Sequence, residues 1–363
     1  MKTLRLYQVA LLIVLAAILL AACGGGAADG EESTTGEVTE LQFFIWSEYI
    51  DPEVYDLFEQ ETGIKVIESN FASNEEMLAK VQGGGSGYDI VVPSDYTVSI
   101  MIEEGLLAEL NHENIPNLAN LGEEFRNVPY DPGNKHCVPY QWGTTGLGYD
   151  SAVMEEPTSW AVLFEPDPNA PYYGRVTMLD DPREGFAAAL VYLGYDINTT
   201  DEDQLREAQQ LLLNAKGAIF SYDSDQFEDL LASGESMMAH GWNGDILMGQ
   251  EVNENIAYTI PQEGGVIWID NLCILAGLPP ERQAAAEQFL NFILRPDIGA
   301  MISEYNYYAS PNAAAEENLD EEFLNDPAVY PPEEVRGKLQ FIRPVGEAES
   351  LFQRLWDEVK SAQ

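Results

Sequence analysis

The 363-residue chain is short of positive charge: Lys and Arg number 17 against 62 Asp and Glu, a formal charge of −45. Nucleic-acid binding requires a cationic footprint, so that class is excluded. Adsorption to anionic lipid is disfavoured for the same reason. Histidine and cysteine are scarce, three of each. His112, His136 and His240 are scattered, and no HExxH, CxxC pair or His-rich tract occurs, so no metal site is expected. GxSxG, GxxxxGK[ST] and GxGxxG are all missing. The GGGSG at Gly83–Gly87 follows a helical pattern, lacks the phosphate-loop lysine, and is taken as a loop. No catalytic residue and no cofactor are expected.

What remains is globular: 45% of the residues are hydrophobic, enough to bury two ordinary cores. The first segment is set apart. Lys2 and Arg5 precede an apolar run, Val9–Leu20, that is short for a membrane span. Leu20-Ala21-Ala22-Cys23 follows. A basic start, an apolar stretch and small residues describe a secretory signal, here 1–22. A cysteine directly after the small residues resembles a bacterial lipobox. That resemblance implies cleavage before Cys23 and a lipid on it. Residues 23–39 are rich in Gly, Ser, Thr and acids, which reads as a flexible tether holding the folded part just outside the cytoplasmic membrane or in a periplasm. Cys137 and Cys273 lie in apolar, strand-like runs. Outside the cell they could pair or remain buried thiols, and the sequence leaves both open.

Beyond the tether, strand and helix patterns alternate. Leu41–Trp46, Lys65–Glu68 and Tyr88–Pro93 read as strands. Asp51-Pro52 opens a helix that Gly63 ends, Ser73 or Asn74 caps a second, and Tyr96–Glu104 forms a third. The pattern recurs with strands at Val176–Leu179, Ala218–Phe220, Ser236–Gly241 and Val266–Leu275. Helices are expected after Asp181-Pro182, from a capping box at Thr200–Asp203, at Ser224–Ala232, and over Pro280–Leu294, Pro296–Tyr305 and Glu347–Ser361. This is the signature of α/β structure with crossover helices. Two α/β domains are expected, with the segment after about residue 265 returning to the first.

Aromatic and acidic residues cluster at the predicted strand ends. The clusters are Trp46-Ser47-Glu48-Tyr49, Ser94-Asp95-Tyr96, Asp180-Asp181-Pro182-Arg183-Glu184, Trp242-Asn243-Gly244-Asp245 and Trp268-Ile269-Asp270. Open α/β sheets bind ligands beyond the carboxyl ends of their strands. Aromatic faces attract cations and pack on methylenes, while carboxylates terminate ammonium groups. Together they suit a small organic polycation. Each cluster also has a plainer use: Asp181 as a helix cap, Trp46 and Trp268 as core, Glu48 and Asp95 as surface acids.

WSEYI, ETGIKVIES, SNEEMLAKV, YDIVVPSDY, LDDPRE, WNGD, EGGVIWID, NFILRPD and SPNAA resemble the substrate-binding components of bacterial spermidine/putrescine ABC transporters. The likeness runs from about Leu41 to near the C-terminus. It implies a two-lobed type II periplasmic-binding-protein fold with the ligand cleft between the lobes. Lobe 1 would comprise 40–146 and 268–315, and lobe 2 would comprise 147–267 and 316–363. It implies aromatic walls at Trp46, Tyr49, Tyr96, Trp242, Trp268 and Tyr308. It implies polar contacts at Ser47, Ser94, Asp181, Glu184, Asp270 and Gln340, with Asp245 added by its place in WNGD. The implied function is extracytoplasmic polyamine binding by a lipid-anchored monomer and delivery to an ABC permease, with no covalent chemistry. Ser47 and Asp245 resemble the putrescine-preferring branch, Trp268 and Tyr308 the spermidine-preferring one, so ligand length stays open, with a lean to spermidine. Two alternatives remain: a binder of another organic cation such as a quaternary amine, and a secreted α/β enzyme.

Overall fold

The computed structural model describes residues 38–84 and 87–362. The signal, Cys23 and nearly all of the tether lie outside the described residues. Nine strands form one hydrogen-bonded network: β1 (Glu40–Trp46), β2 (Lys65–Phe71), β3 (Ile90–Val91), β4 (Cys137–Asp150), β5 (Val176–Met178), β6 (Ile219–Tyr222), β7 (Met238–Trp242), β8 (Ile256–Thr259) and β9 (Val266–Ile274). Their order is β2-β1-β3-β9-β4-β7-β5-β6, with β8 also on β4. Two parallel patches, β2-β1-β3 and β7-β5-β6, are thus linked by two long strands that run antiparallel to their neighbours. The sheet is continuous, where the sequence suggested two separate ones. The segment after residue 265 does return to the first patch, because Ile274 pairs with Ile90 and Cys273 with Val91.

Parallel strands are covered on both faces, and β1 shows it: Leu41, Phe43, Phe44 and Ile45 are all fully buried. The helices of six or more residues are α1 (Pro52–Thr62), α2 (Asn74–Gln82), α3 (Asp95–Glu103), α4 (Pro182–Leu193), α5 (Glu202–Ala215), α6 (Phe227–Ala232), α7 (Asn243–Met248), α8 (Pro280–Ile293), α9 (Pro296–Asn306) and α10 (Glu349–Ser361), the last three following the final strand. The helix starts follow capping chemistry. Asp51 accepts from the Glu53 N–H ahead of α1, and Asp181 accepts from the Arg183 and Glu184 N–H groups ahead of α4. One expected cap is displaced: Asp201, not Thr200, receives the Asp203 and Gln204 N–H groups at the start of α5. The carboxylate one residue later reaches the first turn instead. In α10, Phe352, Leu355, Trp356 and Val359 recur at helical spacing, and the buried stripe packs on α4 and α5.

Sequence reasoning missed β8 and, beyond the strand-like run at Cys137, most of β4. Pro139 and three glycines interrupt its pattern, which argues against a strand interior. Here the glycines serve packing. Gly143 lies opposite Trp268 in the β4–β9 register, and a Cβ there would sit 2.6 Å from the indole. Cys137 lies opposite Cys273 in the same pair, and the two are joined as a disulfide with a Cα–Cα distance of 4.4 Å. The bond closes a loop with a sequence separation of 136 residues. Replacing both cysteines by serine should lower the unfolding free energy by about 2–4 kcal/mol in a urea titration. An unchanged midpoint would show that strand pairing alone holds this junction.

Candidate ligand-binding site

The carboxyl ends of the parallel strands open onto a narrow cleft of about 60 Å³. Trp46 leaves β1 with its indole N–H on the Val92 carbonyl at 3.0 Å. Two residues later the chain turns through Glu48, whose φ of 52° is unusual for a side-chain-bearing residue. The turn brings Tyr49 back into the cleft. Its carbonyl accepts from the Tyr140 hydroxyl and the Asn306 amide at 2.7 and 3.0 Å. Trp268 and Asp270 share one face of β9 and line the cleft, while Ile267 and Ile269 face the opposite side.

Asp270 is the most fixed of the acids. The Tyr49 hydroxyl donates to one of its oxygens at 2.9 Å and the Ser94 hydroxyl to the other at 2.6 Å. Ser94 is itself held by Asn74, whose amide donates to the hydroxyl at 2.9 Å and accepts from the Ser94 N–H at 3.0 Å. On the other side of the cleft, Asp181 caps α4 and also lines the cleft, so capping does not remove it from the site. Glu184, in the first turn of α4, accepts from the Trp242 indole at 3.4 Å, and its second oxygen is buried with no partner. Arg183 between them turns away: it is ion-paired with Glu349 at 2.8 Å and stacks on Phe352. Asp180 is outside the cleft, bonded to Lys360 and the Trp356 indole.

Asp245 stands in the first turn of α7, half-buried, with its backbone N–H on the Tyr308 hydroxyl at 3.4 Å. Gly244 is required beside it. A Cβ there would come within 2.6 Å of the Tyr308 ring and 2.5 Å of the Asn306 carbonyl. Aromatic rings complete the walls. Trp46 and Trp242 meet edge to face at 5.7 Å, Trp268 and Tyr308 at 5.1 Å, and Tyr49 and Tyr308 at 5.3 Å.

Twelve of the thirteen sequence-predicted contacts therefore line one cavity: Trp46, Ser47, Tyr49, Ser94, Tyr96, Asp181, Glu184, Trp242, Asp245, Trp268, Asp270 and Tyr308. Gln340 does not. Its backbone pairs with the start of β9, through the Ile267 N–H at 3.1 Å, and its side-chain oxygen accepts from the Ile197 N–H at 3.3 Å. Bonding to the Ile197 N–H holds the amide group away from the cleft, and Ile342 reaches the cleft wall from that segment. Glu48 and Asp95, noted above as surface acids, also line it, as do Asn74, Ser224, Asp225 and Glu228. Glu228 and Asp225 carry no signal of their own, since SDSDQFEDLL reads as an ordinary acidic loop and helix start.

Eight lining side chains are carboxylates and none is Lys, Arg or His. Among the described residues, no group of three or more His, Cys, Asp or Glu is arranged to hold a metal ion. The electrostatic result is a set of raised carboxyl pKa values. Burial pushes Asp270 up to about 7, against the lowering effect of the Ser94 and Tyr49 hydrogen bonds. Burial, then the nearby Glu48 and Asp270 charges, raise Asp245 to about 7. Burial and the Asp181 charge raise Glu184 to about 8. Asp181 and Asp95 are raised as well, by burial first. An empty cleft of this kind must take up protons or a cation.

A family model for bacterial extracellular solute-binding proteins matches residues 53–331. The chain belongs to that family. This solute-binding protein is 35% identical over 324 residues to the spermidine/putrescine-binding periplasmic protein of Escherichia coli, covering 88% of this chain and 91% of that one. It is 35% identical over 339 residues to the putrescine-binding periplasmic protein PotF of the same organism, with the same coverage. Among solved structures, the TpPotD lipoprotein of Treponema pallidum superposes with a TM-score of 0.77 at 30% identity, covering 88% of this chain and 99% of that one. The substrate-binding protein PotD of the Streptococcus pneumoniae spermidine/putrescine ABC transporter gives 0.75 at 33%, covering 89% and 98%. The solute-binding protein therefore has the two-lobed α/β periplasmic-binding-protein fold, with its cleft between the lobes.

The raised acids set a pH dependence. Their folded pKa values exceed those of an unfolded chain, near 4, so the folded protein binds the extra protons. Their stabilising contribution is complete at low pH and is lost as pH climbs through about 7 to 8. Groups with lowered pKa values work the other way: Glu109, Asp167 and Asp297 do so below that window, and buried His240, lowered to about 3, does so only up to its unfolded value near 6.5, where the raised acids outnumber it. The melting temperature of the ligand-free solute-binding protein should fall between pH 5 and pH 8 in a calorimetric series. A flat or rising profile would mean that the cleft carboxyls ionise without penalty.

Proposed function

We propose that this solute-binding protein captures a linear polyamine, spermidine or putrescine, and hands it unchanged to an ABC transporter permease. The observation that carries the reading is the lining of the cleft: eight carboxylates and no base, set between aromatic faces in a narrow slot. The protein offers no counter-charge of its own there, so the ligand must bring it. Ammonium groups supply it, and the rings cover the methylenes between them. The names of the relatives, which bind spermidine and putrescine, support this chemistry. A quaternary amine would use the same rings but could donate no hydrogen bond to the acids.

In this reading Asp270, with Tyr49 and Ser94, holds one ammonium, and Asp181 with Glu184 holds another. Asp245 takes a further donor. Trp46, Tyr96, Trp242, Trp268 and Tyr308 form the walls, with Ser47 at the rim. Lobe 1 comprises 40–146 and 268–315, and lobe 2 comprises 147–267 and 316–363. The lobes close about β4 and β9, and the closed form is what the permease recognises. A monomer suffices. Cys23 carries a lipid that keeps the protein at the outer face of the cytoplasmic membrane or in a periplasm. The protein performs no chemistry on its ligand.

Calorimetric titration of the mature protein should give micromolar or tighter binding of a polyamine, about −8 kcal/mol or better, with the amine recovered intact. Asp270→Asn should cost several kcal/mol, because an ammonium is left in the cleft without its partner. Glu317→Gln, an exposed acid, should change little. Equal small effects would show that global charge, not a site, attracts the amine. No heat with any di- or triamine would end the polyamine reading. In its own host, the Cys23→Ser protein should be released from membranes, and a variant that stays fully membrane-bound would place the anchor elsewhere.

A further inference from the structure

Among the described residues, positive φ outside glycine occurs at Glu48 (52°), Asn134 (51°) and Tyr307 (58°). Asparagine tolerates this backbone region, whereas for a bulky side chain it persists only where the surrounding structure holds it. Glu48 stands immediately before Tyr49, and Tyr307 immediately before Tyr308. Two unusual turns, far apart in the chain, thus deliver the two tyrosines that meet edge to face at 5.3 Å in the cleft wall.

One side chain ties the turns together. Asn306 ends α9, is fully buried and lies outside the cleft lining. Its amide nitrogen donates to the Tyr49 carbonyl at 3.0 Å, and its amide oxygen accepts from the Tyr308 N–H at 3.1 Å. The partners fix which end is which: exchanged, the amide would set nitrogen against an N–H and oxygen against a carbonyl. The Tyr140 hydroxyl, from β4, also donates to the Tyr49 carbonyl at 2.7 Å. On its other side the Asn306 backbone carbonyl packs against Gly244. Both bonds of the amide go to main chain, so they set where each tyrosine leaves the backbone. A small rotation of the Tyr49 turn is magnified over the length of the ring, and the hydroxyl at its end is the one that donates to Asp270 at 2.9 Å.

We propose that Asn306 is a positioning residue for ligand binding: it locks the Glu48–Tyr49 turn to the Tyr307–Tyr308 turn and holds the two rings at the spacing the ligand meets, without touching the ligand. The proposal rests on the polyamine reading for its probe, while the spacing of the rings is open to measurement with no ligand at all.

Wild type, Asn306→Ala, Asn306→Asp and Asn312→Ala are compared at pH 6 by titration with putrescine and spermidine, by near-ultraviolet circular dichroism of the ligand-free proteins, and by melting. Asn312 is the control. It is buried outside the cleft, and its amide likewise bonds main chain at both ends, to the Leu294 carbonyl and the Ala314 N–H. Asn312→Ala should lower the melting temperature yet leave affinity within about twofold, since the site is independent of the cleft. Asn306→Ala should weaken both amines about tenfold and alter the tyrosine band, which reports fixed ring packing. Asn306→Leu, of similar shape but unable to bond, carries the test if Asn306→Ala does not fold. Asn306→Asp should bind nearly as wild type, because burial keeps the new carboxyl neutral and a neutral carboxyl can donate to Tyr49 and accept from Tyr308. A tyrosine band unchanged in Asn306→Ala would overturn the proposal whatever the affinities. So would unchanged affinity with a melting temperature lowered as in Asn312→Ala, or an Asn306→Asp protein as weak as Asn306→Ala. If wild type binds neither amine, the polyamine reading falls by itself, and the tyrosine band still decides whether Asn306 sets the rings.

Discussion

Holding several carboxylates together in one cleft, with no basic side chain among them, is the constraint that organises the rest of this structure. Like charges in a low-dielectric slot repel, and burial penalises each one further. The fold meets this penalty by fixing the acids individually. Asp270 is bonded on both oxygens, Asp181 is tied to two backbone N–H groups, and Glu184 leans on the Trp242 indole. The few strong cations nearby are withdrawn. Arg183 belongs by sequence to the LDDPRE cluster, yet it faces away to Glu349. Were it turned inward, it would neutralise the charge that makes the cleft receptive.

The aromatic walls depend on a second set of constraints that lie in the backbone. Trp268 can fold over β4 only because Gly143 lies opposite it, and Tyr308 can reach Asp245 only because Gly244 has no side chain. Both glycines bring rigid rings close to the acids and leave one lean slot between them. A slot walled by rings and ended by carboxyls discriminates by shape along its length and by charge at fixed stations.

These features were unequally legible. The acid–aromatic clusters could be read because strand-end positions are local: Trp46, Ser94, Asp181, Trp242 and Asp270 each follow or end a recognisable apolar run. Capping was legible for the same reason at Asp51 and Asp181, and it slipped by one residue at Asp201 because Thr200 and Asp201 are both competent caps. What sequence alone could not supply was long-range register. Beyond Cys137, β4 was hidden by its own glycines, whose purpose is visible only against distant neighbours: Gly143 against Trp268, Gly146 against Tyr258 and Gly148 against Ile246. The pairing of Cys137 with Cys273 follows from that register and from nothing local. Gln340 falls outside the cleft lining, and its side chain is engaged by a residue 143 positions away, through the Ile197 N–H. Glu228 looks like any acid in an acidic loop, and only its place in the cleft lining distinguishes it.

The two crossing strands tie these points together. β9 carries Trp268 and Asp270 on the face toward the cleft, and through Cys273 it is bonded to β4 at the β3 end. At its other end Val266 pairs with β4 beside the Thr145–Trp242 pair, so one strand touches the frameworks that hold Asp270 and Trp242. A disulfide at one end of this antiparallel ladder opposes sliding of β9 along β4, which would carry Trp268 off Gly143 and Asp270 away from Ser94 and Tyr49. The junction therefore resists the displacement that would dismantle the acid stations.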